Sequence, residues 1–381
     1  MYLRNIRVHN FRNHTESTFE FGQWANILVG ENGQGKTNIL EAISYLCLTK
    51  SFYSHGDSYV IKIGNDIFEV EGVFNTERTG DQRVRVAYSD GQKEKIFTIN
   101  KNHIEPLSSV IGKFPVVICS PEHAPITNQG PIERRRFIDL VISQSSNIYF
   151  QHLIEYRKIL RNRNKVLAEA KLQKADPTEI LEPWNDQLIN AGAYLMVRRQ
   201  KFVDEFERYI NSSYHQLVID GELPSIAYEP SLPVDKSFNQ QDAAKVFASE
   251  LTRRKEREFQ VGTTVVGPHR DELLFTINGL DLRRYASQGQ HKTFLVALKI
   301  AEFFYLREQC NETPILLLDD IFSELDTVRA ANLLELVSTI SQTFITSTNR
   351  DLFDKNVADA DSRRMFTISN GAVMEEQKNV A

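Results

Sequence analysis

Eight consecutive residues, from Gly30 to Thr37, read Gly-Glu-Asn-Gly-Gln-Gly-Lys-Thr and match the phosphate-binding pattern G-x-x-x-x-G-K-[ST] at every fixed position. Glycines let successive backbone N–H groups turn toward phosphate oxygens, and the positive end of a following helix adds to the attraction. Lys36 is predicted to reach the β- and γ-phosphates, and the Thr37 hydroxyl to bind Mg²⁺. The spacing predicts a site for a nucleoside triphosphate and Mg²⁺ formed by Gly30, Glu31, Asn32, Gly33, Gln34, Gly35, Lys36 and Thr37.

A second acidic element is needed, because Mg²⁺ in such sites is also held by a carboxylate at the tip of a neighbouring strand. The apolar run at 315–318 ends in Asp319 and Asp320. We expect Asp319 to be the metal ligand and Asp320 to be the general base that orients water. A buried strand followed by solvated acids is the alternative interpretation.

Between these two motifs lies Ser287-Gln288-Gly289-Gln290, at the start of a predicted helix. Serine is a good helix N-cap, so the segment by itself indicates only a capped helix. Its place one helix before Asp319 favours a functional role for Ser287, Gly289 and Gln290.

The elements that must position these residues follow from hydrophobic periodicity. An apolar strand precedes the loop at 25–29, a helix follows it, and alternation over 59–100 predicts an antiparallel meander. From about residue 131 the period changes to 3.6, and strand character returns at 263–266 and 273–277. The pattern predicts an α/β fold with an inserted, mainly helical lobe. The expected parts are 1–130 and 261–381 for the nucleotide-binding head, and 131–260 for the insertion.

The charge distribution is uneven along the chain. The 381 residues carry 45 Lys and Arg against 50 Asp and Glu, a net charge of −5, which argues against a histone-like polyanion binder. Between residues 133 and 171, however, nine basic residues face four acidic ones, a local balance of +5. This stretch is either a solvated helix face or a surface that contacts DNA phosphates without reading sequence. The candidate DNA contacts are Arg134, Arg135, Arg157, Lys158, Arg161 and Arg163.

Other features bear on location. No apolar run approaches the ~18 residues of a membrane helix, and charges interrupt the N-terminus where a signal peptide would be apolar. The cysteines Cys47, Cys119 and Cys310 are far apart and lie among aliphatic residues, which is typical of buried thiols in a reducing compartment. We expect a cytoplasmic protein without a membrane partner.

Together the motifs resemble those of ABC-type ATPase heads of the SMC class, and most closely those of the RecF family of bacterial recombination mediators. The similarity spans nearly the whole chain in the family's order. It is carried by Asn10-Phe11-Arg12-Asn13, Gly30 to Ile43, Pro121-Glu122, Gly130-Pro131, Arg134 to Asp139, Gly267-Pro268-His269-Arg270-Asp271, Ser287 to Gln290 and Asp319 to Asp326.

The resemblance implies a mechanism. In ABC-type heads the signature segment of one subunit covers the nucleotide of the other, so Ser287 and Gly289 would act in trans in an ATP-dependent, head-to-tail homodimer. Gln290 and Asn38 would also contact the bound ATP. Arg12 and Asn13 would lie near the phosphates. Asp320 stands where a longer glutamate is common, which implies a weak, slow ATPase. Thr346 or Thr348 would stand in for the usual switch histidine.

The resemblance also implies partners: DNA at single-strand gaps, the proteins RecO and RecR, and RecA, whose loading onto DNA they aid in repair and replication. The alternative is an ATPase subunit of a transporter or of another SMC-like assembly, which would share the three motifs. A transporter cassette would not need the basic insertion. His269 could suggest metal or acid–base chemistry, but without a second histidine at ligand spacing we expect it to be structural.

Overall fold

The structure is a computed structural model that describes residues 1–53, 56–218, 221–235, 237–350, 353 and 363–378. Alternating or continuous apolar residues form its strands, as periodicity predicts. In chain order the strands are β1 Tyr2–Phe11, β2 His14–Glu20, β3 Ala25–Val29, β4 Ile67–Thr76, β5 Gly80–Ser89, β6 Glu94–Ile99, β7 Asn102–His103, β8 Val116–Cys119, β9 Pro224–Glu229, β10 Glu272–Ile277, β11 Leu280–Asp281, β12 Ile315–Asp319, β13 Thr343–Ser347, β14 Arg363–Ser369 and β15 Ala372–Lys378.

The helices range from a single turn to eleven turns, and short 3₁₀ helices connect several elements. None of the helices in the described part of the chain is long and apolar enough to cross a membrane. The helices are α1 Lys36–Leu48, α2 Pro125–Asn128, α3 Pro131–Ser145, α4 Asn147–Gln173, α5 Thr178–Leu217, α6 Gln240–Arg253, α7 Lys255–Val261, α8 Leu282–Tyr285, α9 Gln288–Gln309 and α10 Thr327–Ile340. The 3₁₀ helices are Asp57–Val60, Leu107–Val110, Pro121–His123, Pro268–Arg270 and Phe322–Glu324.

The chain divides into two compact units. The first, which we call the head, comprises Met1–Ala124, Ser212–Glu222 and Ser287–Ala381. The second unit comprises Pro125–Asn211 and Leu223–Ala286. This division differs from the expected boundaries at three places. Residues 125–130 group with the second unit rather than with the head, and residues 212–222 group with the head. Residues 261–286 group with the second unit because β10 pairs with β9.

Two six-stranded sheets form the head. One is antiparallel, in the order β2-β1-β4-β5-β6-β7, and contains the predicted meander. The other has the order β15-β14-β3-β13-β12-β8, and its central strands are parallel. Parallel strands are buried on both faces, which explains why β3, β12 and β13 are buried at every position. The carboxyl ends of β3 and β12 therefore share one edge of this sheet.

Helix α1 packs against strands of both sheets in the head. This placement explains why the helix is buried almost all round, from Ile39 to Leu48. Strand β4 approaches it closely at Gly72, where a Cβ atom would lie 2.7 Å from Leu46 Cδ1 and 2.9 Å from Leu3 Cδ1. Only glycine fits there without displacing both leucines. Burial of each large aliphatic side chain in this layer stabilises the head by about 2 kcal/mol.

The second unit is helical for the most part, but it also contains a three-stranded sheet in the order β11-β10-β9. Strand β9 begins at a proline, Pro224, and pairs with β10. The unit is therefore not purely helical. Its long helices α4 and α5 are joined by side-chain bonds such as Arg163 Nε to Asn185 Oδ1, 2.9 Å.

The predicted strand at 263–266 is wrong, because these residues form no strand ladder. Their backbone groups bond to side chains instead. Thr264 N donates to Asn164 Oδ1 at 2.8 Å, and Val265 N donates to Glu258 Oε1 at 2.9 Å. A β-branched run has strand propensity, but here polar side chains, rather than a neighbouring strand, accept hydrogen bonds from its N–H groups.

Candidate nucleotide-binding site

The glycine-rich loop joins β3 to α1, in the strand–loop–helix order that phosphate-binding loops require. Gly35 is the N-cap of α1 with φ 109°, and a Cβ atom there would lie 2.6 Å from Asn13 Oδ1. Glycine is therefore required both by conformation and by space. Among the residues that the structure describes, no side chain caps this helix, and its first turn contains no acid. The helix start is thus left to an anionic ligand.

Lys36 folds back over this loop. Its Nζ donates to the carbonyl oxygens of Gly30, at 2.7 Å, and Glu31, at 2.8 Å. Burial lowers the pKa of Lys36, while the nearby Asp320 and Asp319 act in the opposite direction. The ammonium group is held by neutral carbonyls, which a phosphate can replace as a stronger, charged acceptor.

Across the loop, Thr37 and Asp319 meet at the shared edge of the parallel sheet. The Thr37 hydroxyl donates to Asp319 Oδ1 at 2.7 Å, although the two residues are 282 positions apart. Thr346, at the end of β13, donates to the same oxygen at 2.8 Å and accepts from Asp320 N at 2.9 Å. Burial raises the pKa of Asp319, and the two hydroxyl bonds offset this only in part.

These residues fit ATP and Mg²⁺ by their chemistry. The uncapped helix start and Lys36 present donors to phosphates, and Thr37 with Asp319 presents a hydroxyl and a carboxylate oxygen, the hard ligands that Mg²⁺ prefers. Asp320 follows at once with φ 50°, a left-handed conformation that aspartate tolerates. The predicted ligands are brought together. The structure gives Thr346 a bridging role between the two acids, and Thr348 is exposed outside the strand.

Residues outside the loop brace it. Gln34 Oε1 accepts from Asn370 N at 2.6 Å, and Gln34 O accepts from Gly371 N at 2.9 Å and from Asn13 Nδ2 at 3.0 Å. The turn between β14 and β15 is thereby tied to the nucleotide loop. Sequence reasoning missed this link, although Asn-Gly is a strong hairpin-turn signal.

Arg12 and Asn13 were expected near phosphate. Arg12 instead forms a two-pronged ion pair with buried Glu41, Nε to Oε2 at 2.8 Å and Nη2 to Oε1 at 2.7 Å, and a third bond to Tyr59 O. Asn13 accepts from Asn38 Nδ2 at 2.7 Å. Asn13 therefore contacts both the loop, at Gln34 O, and the first turn of α1, whereas Arg12 is bound to Glu41 of that helix.

The signature segment begins α9. Ser287 Oγ accepts from Gln290 N at 3.2 Å, and Gln290 Oε1 accepts from Ser287 N at 2.8 Å, which together form a capping box. Ser287 and Gly289 are exposed. No bond joins Ser287 to residues 30–38 within the described structure. The Gln290 amide also donates to Glu222 Oε1 at 2.7 Å, a partner that the sequence did not indicate.

The predicted DNA contacts separate into buried and exposed groups. Arg134 and Arg163 are 1% and 2% exposed, so their assignment as phosphate contacts is withdrawn. Arg134 donates to Leu273 O at 2.8 Å, and Arg163 pairs with Glu258 at 2.6 Å. Arg135 is half-buried and donates to Asp271 O. Arg157, Lys158 and Arg161 are exposed on α4, where Arg157 also contacts Asp139 at 3.1 Å.

The chain is similar to known proteins in sequence and in fold. The family model described as the RecF/RecN/SMC N terminal domain matches residues 2–372. A solved SMC head bound to the C-winged helix domain of ScpA has a TM-score of 0.57 at 14% identity, covering 100% of this chain and 98% of that one, a likeness of fold alone. The class is therefore an ABC-type ATPase head of the SMC kind, which confirms the predicted α/β fold with an inserted lobe.

Within this class, the most informative relatives are named "DNA replication and repair protein RecF". The one from Chloroherpeton thalassium is 41% identical, over 93% of this chain and 96% of the relative. The one from Salinibacter ruber is 38% identical, over 97% and 91%. The chain belongs to the RecF family.

Solved structures agree in fold over the full length. One titled as the recombination mediator protein RecF-ATP in the RecFOR pathway has a TM-score of 0.89 at 31% identity, covering 99% of this chain and 97% of that one. A second, titled RecF-ATPrS, has the same TM-score at 32% identity, covering 98% and 97%.

Proposed function

We propose that this chain is an ATP-dependent DNA-binding recombination mediator of the RecF type. ATP binding would assemble a head-to-tail homodimer on DNA, and slow hydrolysis would release it. In repair and replication restart the dimer would act with RecR and RecO to aid RecA loading at single-strand gaps. Membership of the RecF family supports this proposal, as does the similarity to solved structures of RecF-ATP and RecF-ATPrS from the RecFOR pathway.

The observation that carries the ATP-switch part is the contact between Thr37 and Asp319, 2.7 Å, beside an uncapped helix start and Lys36. Bound ATP with Mg²⁺ would supply the reactive γ-phosphate. Lys36 would exchange its two carbonyl partners for phosphate oxygens, and Thr37 with Asp319 would hold the metal ion. Asp320 would accept the proton of the attacking water, and its short side chain would limit the rate.

The exposed Ser287 supports action in trans. Its oxygen accepts from the Gln290 N–H and leaves the hydroxyl hydrogen able to donate to a phosphate on a second subunit. Two such contacts related by a two-fold axis would close one symmetric interface around two ATP molecules. Nucleotide would then be part of the interface, which makes dimerisation dependent on ATP.

The exposed basic residues of α4 support contact with DNA. Arg157 and Arg161 are four positions apart and so lie on one face of the helix, with Lys158 beside them. Such residues would neutralise phosphates without reading bases, and each phosphate neutralised steepens the salt dependence of binding.

Sedimentation velocity of the purified chain with ATP and Mg²⁺, with and without gapped duplex DNA, tests this function. The wild type should form ATP-dependent dimers that retain DNA. The Ser287→Arg variant should remain monomeric, and each monomer should still bind ATP at its own glycine-rich loop. Gln92→Arg, in the exposed turn between β5 and β6, adds the same charge and should behave as the wild type. A wild-type chain that stays monomeric at saturating ATP and DNA would refute the proposed switch.

A further inference from the structure

A short part of the head comes from the middle of the second unit in sequence. Residues Ser212–Glu222 group with the head, whereas the residues before and after them belong to the second unit. Glu222 is the last residue of this excursion, since the chain returns to the second unit at Leu223. No nucleotide motif lies in this segment, so its presence in the head calls for another explanation.

Both carboxylate oxygens of Glu222 are bonded. Oε1 accepts from Gln290 Nε2 at 2.7 Å, and Oε2 accepts from the hydroxyl of Tyr214. Tyr214 is fully buried, with its ring 6.2 Å from that of Phe294 on α9. Burial raises the pKa of Tyr214, and the bond to Glu222 raises it further. Tyr214 therefore remains protonated at physiological pH, and its hydroxyl holds the Glu222 carboxylate through the oxygen that Gln290 does not contact.

The Glu222 carboxylate in turn determines which end of the Gln290 side-chain amide, NH₂ or C=O, faces it. A carboxylate only accepts hydrogen bonds, so it selects the NH₂ end of the amide. The carbonyl end must then face Ser287, where it accepts the backbone N–H at 2.8 Å. Without Glu222, the amide could rotate or turn to solvent, and the Ser287 cap would lose half of its reciprocal bonding.

We propose that Glu222, held by Tyr214, is a positioning residue that orients the signature serine through Gln290. The inference rests on the proposed function, in which the Ser287 hydroxyl meets a phosphate of the second subunit. It changes the expected role of Gln290, which is engaged by Glu222 and by the Ser287 cap and acts on the nucleotide through the serine. Placement of a reacting contact to within a fraction of an ångström is worth a large factor in rate.

The test compares Glu222→Ala, Glu222→Gln and Tyr214→Phe with Glu335→Ala, an exposed glutamate on α10 of the same unit. Glu222→Ala should lower kcat for ATP hydrolysis and weaken the ATP-dependent dimer by about tenfold, while the one-protomer Kd for ATP stays unchanged. Glu222→Gln still offers a carbonyl oxygen to Gln290 and should recover most of the loss. Tyr214→Phe should fall between them. Glu335→Ala should match the wild type.

Hydrogen exchange of the first turn of α9 gives a second, local measurement. The amides of Ser287 and Gln290 should exchange faster in Glu222→Ala than in Glu222→Gln, by more than the difference in global stability between the two variants accounts for. This measurement requires neither ATP nor a dimer. It therefore reports on the contact between Glu222 and Gln290 even in a variant with low ATP turnover.

The outcomes separate the inference from the proposed function. A wild type without ATP-dependent dimers overturns the proposed function, whatever the variants do. If the wild type dimerises and Ser287→Arg does not, but Glu222→Ala equals Glu335→Ala in kcat, dimer affinity and exchange, then the positioning role is refuted alone. A lower melting temperature in Glu222→Ala, with equal loss in Glu222→Gln, would make the residue merely structural and would also refute the role.

Discussion

The nucleotide site of the head and the Arg199 cluster of the second unit both contain buried charged side chains, but these side chains have different kinds of partner. In the head, Asp319 is bonded by two neutral hydroxyls and Lys36 by two neutral carbonyls, and no ion pair joins them within 4 Å in the described structure. In the second unit, Arg199 is paired with Asp139 at 2.9 Å and with Asp271 at 3.1 Å. The charges of Asp319 and Lys36 can therefore bind a ligand, whereas those of the Arg199 cluster stabilise the folded second unit.

The second-unit cluster is dense. Arg199 is 3% exposed and also donates to Pro268 O at 2.6 Å, while Tyr149 donates to Asp139 at 2.6 Å and Tyr228 donates to Asp271. Every charged group has an opposite charge and additional hydrogen bonds, the condition under which a buried ion pair is tolerated. Buried charges occur in both places, so the lack of an ion pair, rather than burial, distinguishes the ligand site from the structural cluster.

The largest expected effect breaks the paired cluster. Arg199→Met should lower the free energy of unfolding by about 3–5 kcal/mol, because it leaves Asp139 and Asp271 buried with their main cation removed. Arg136→Met on α3, whose side chain is 63% exposed, should change it by less than ~0.5 kcal/mol. Chemical denaturation of both variants measures the difference. Equal losses in the two would mean that the cluster does not hold the second unit together.

The second-largest expected effect concerns Asp319 in the nucleotide site. Asp319→Asn should lower ATP turnover by at least about 100-fold, since it removes the predicted Mg²⁺ ligand. Its stability should be unchanged, or higher by up to ~1 kcal/mol. The sign follows because a raised pKa means that the charged carboxyl destabilises the folded state above its unfolded pKa. Turnover and denaturation are measured on the same preparation. A large loss of stability would place Asp319 with the structural charges.

A third prediction concerns pH and the second unit. Burial lowers the pKa of His269 to about 4, where its Nδ1 accepts from Tyr156 OH at 2.7 Å and its Nε2 donates to Thr264 O at 3.2 Å. The neutral ring is favoured in the folded state, so stability present above pH ~6.5 is lost as pH falls toward 4. Between pH 7 and 5 the loss should be about 2 kcal/mol.

His269→Gln is the matched variant, because an amide can still accept and donate but does not titrate in this range. Its stability at pH 7 is expected to be lower than that of the wild type, and its loss between pH 7 and 5 should be smaller by the same ~2 kcal/mol. Parallel pH curves for the two proteins would show that His269 titrates at its ordinary value.

The smallest effect compares neighbours on α4. Arg161→Ala, at an exposed position, should weaken DNA binding about threefold and reduce the salt dependence by about one phosphate contact, without a change in stability. Arg163→Ala, two residues on, should destabilise the chain because Glu258 is left buried. Binding of labelled duplex at several salt concentrations, together with denaturation, distinguishes them. An Arg161 variant with the wild-type salt slope would remove this face from the DNA surface.

The nucleotide loop and its acidic partner were predictable because their chemistry is local. The glycine spacing specifies the backbone turn, and the apolar runs before Lys36 and before Asp319 specify two buried strands that end at one sheet edge. The prediction of a strand at 263–266 was wrong because its backbone hydrogen bonds depend on side chains outside the run. Thr264 N donates to Asn164, 100 residues away, and Val265 N donates to Glu258, 7 residues away.

The groups that can do chemistry are recognisable from the amino-acid sequence alone: the Gly30–Thr37 loop, Asp319 with Asp320, and the Ser287 signature. Which charged side chains are paired inside the protein depends on tertiary packing. It turned Arg134 and Arg163 inward and brought Glu222 to Gln290, 68 residues away, and Asn370 to Gln34, 336 residues away. Sequence periodicity reports which face of an element is apolar. It cannot report which polar group from a distant segment will satisfy a buried charge, because that depends on the packing of the whole chain.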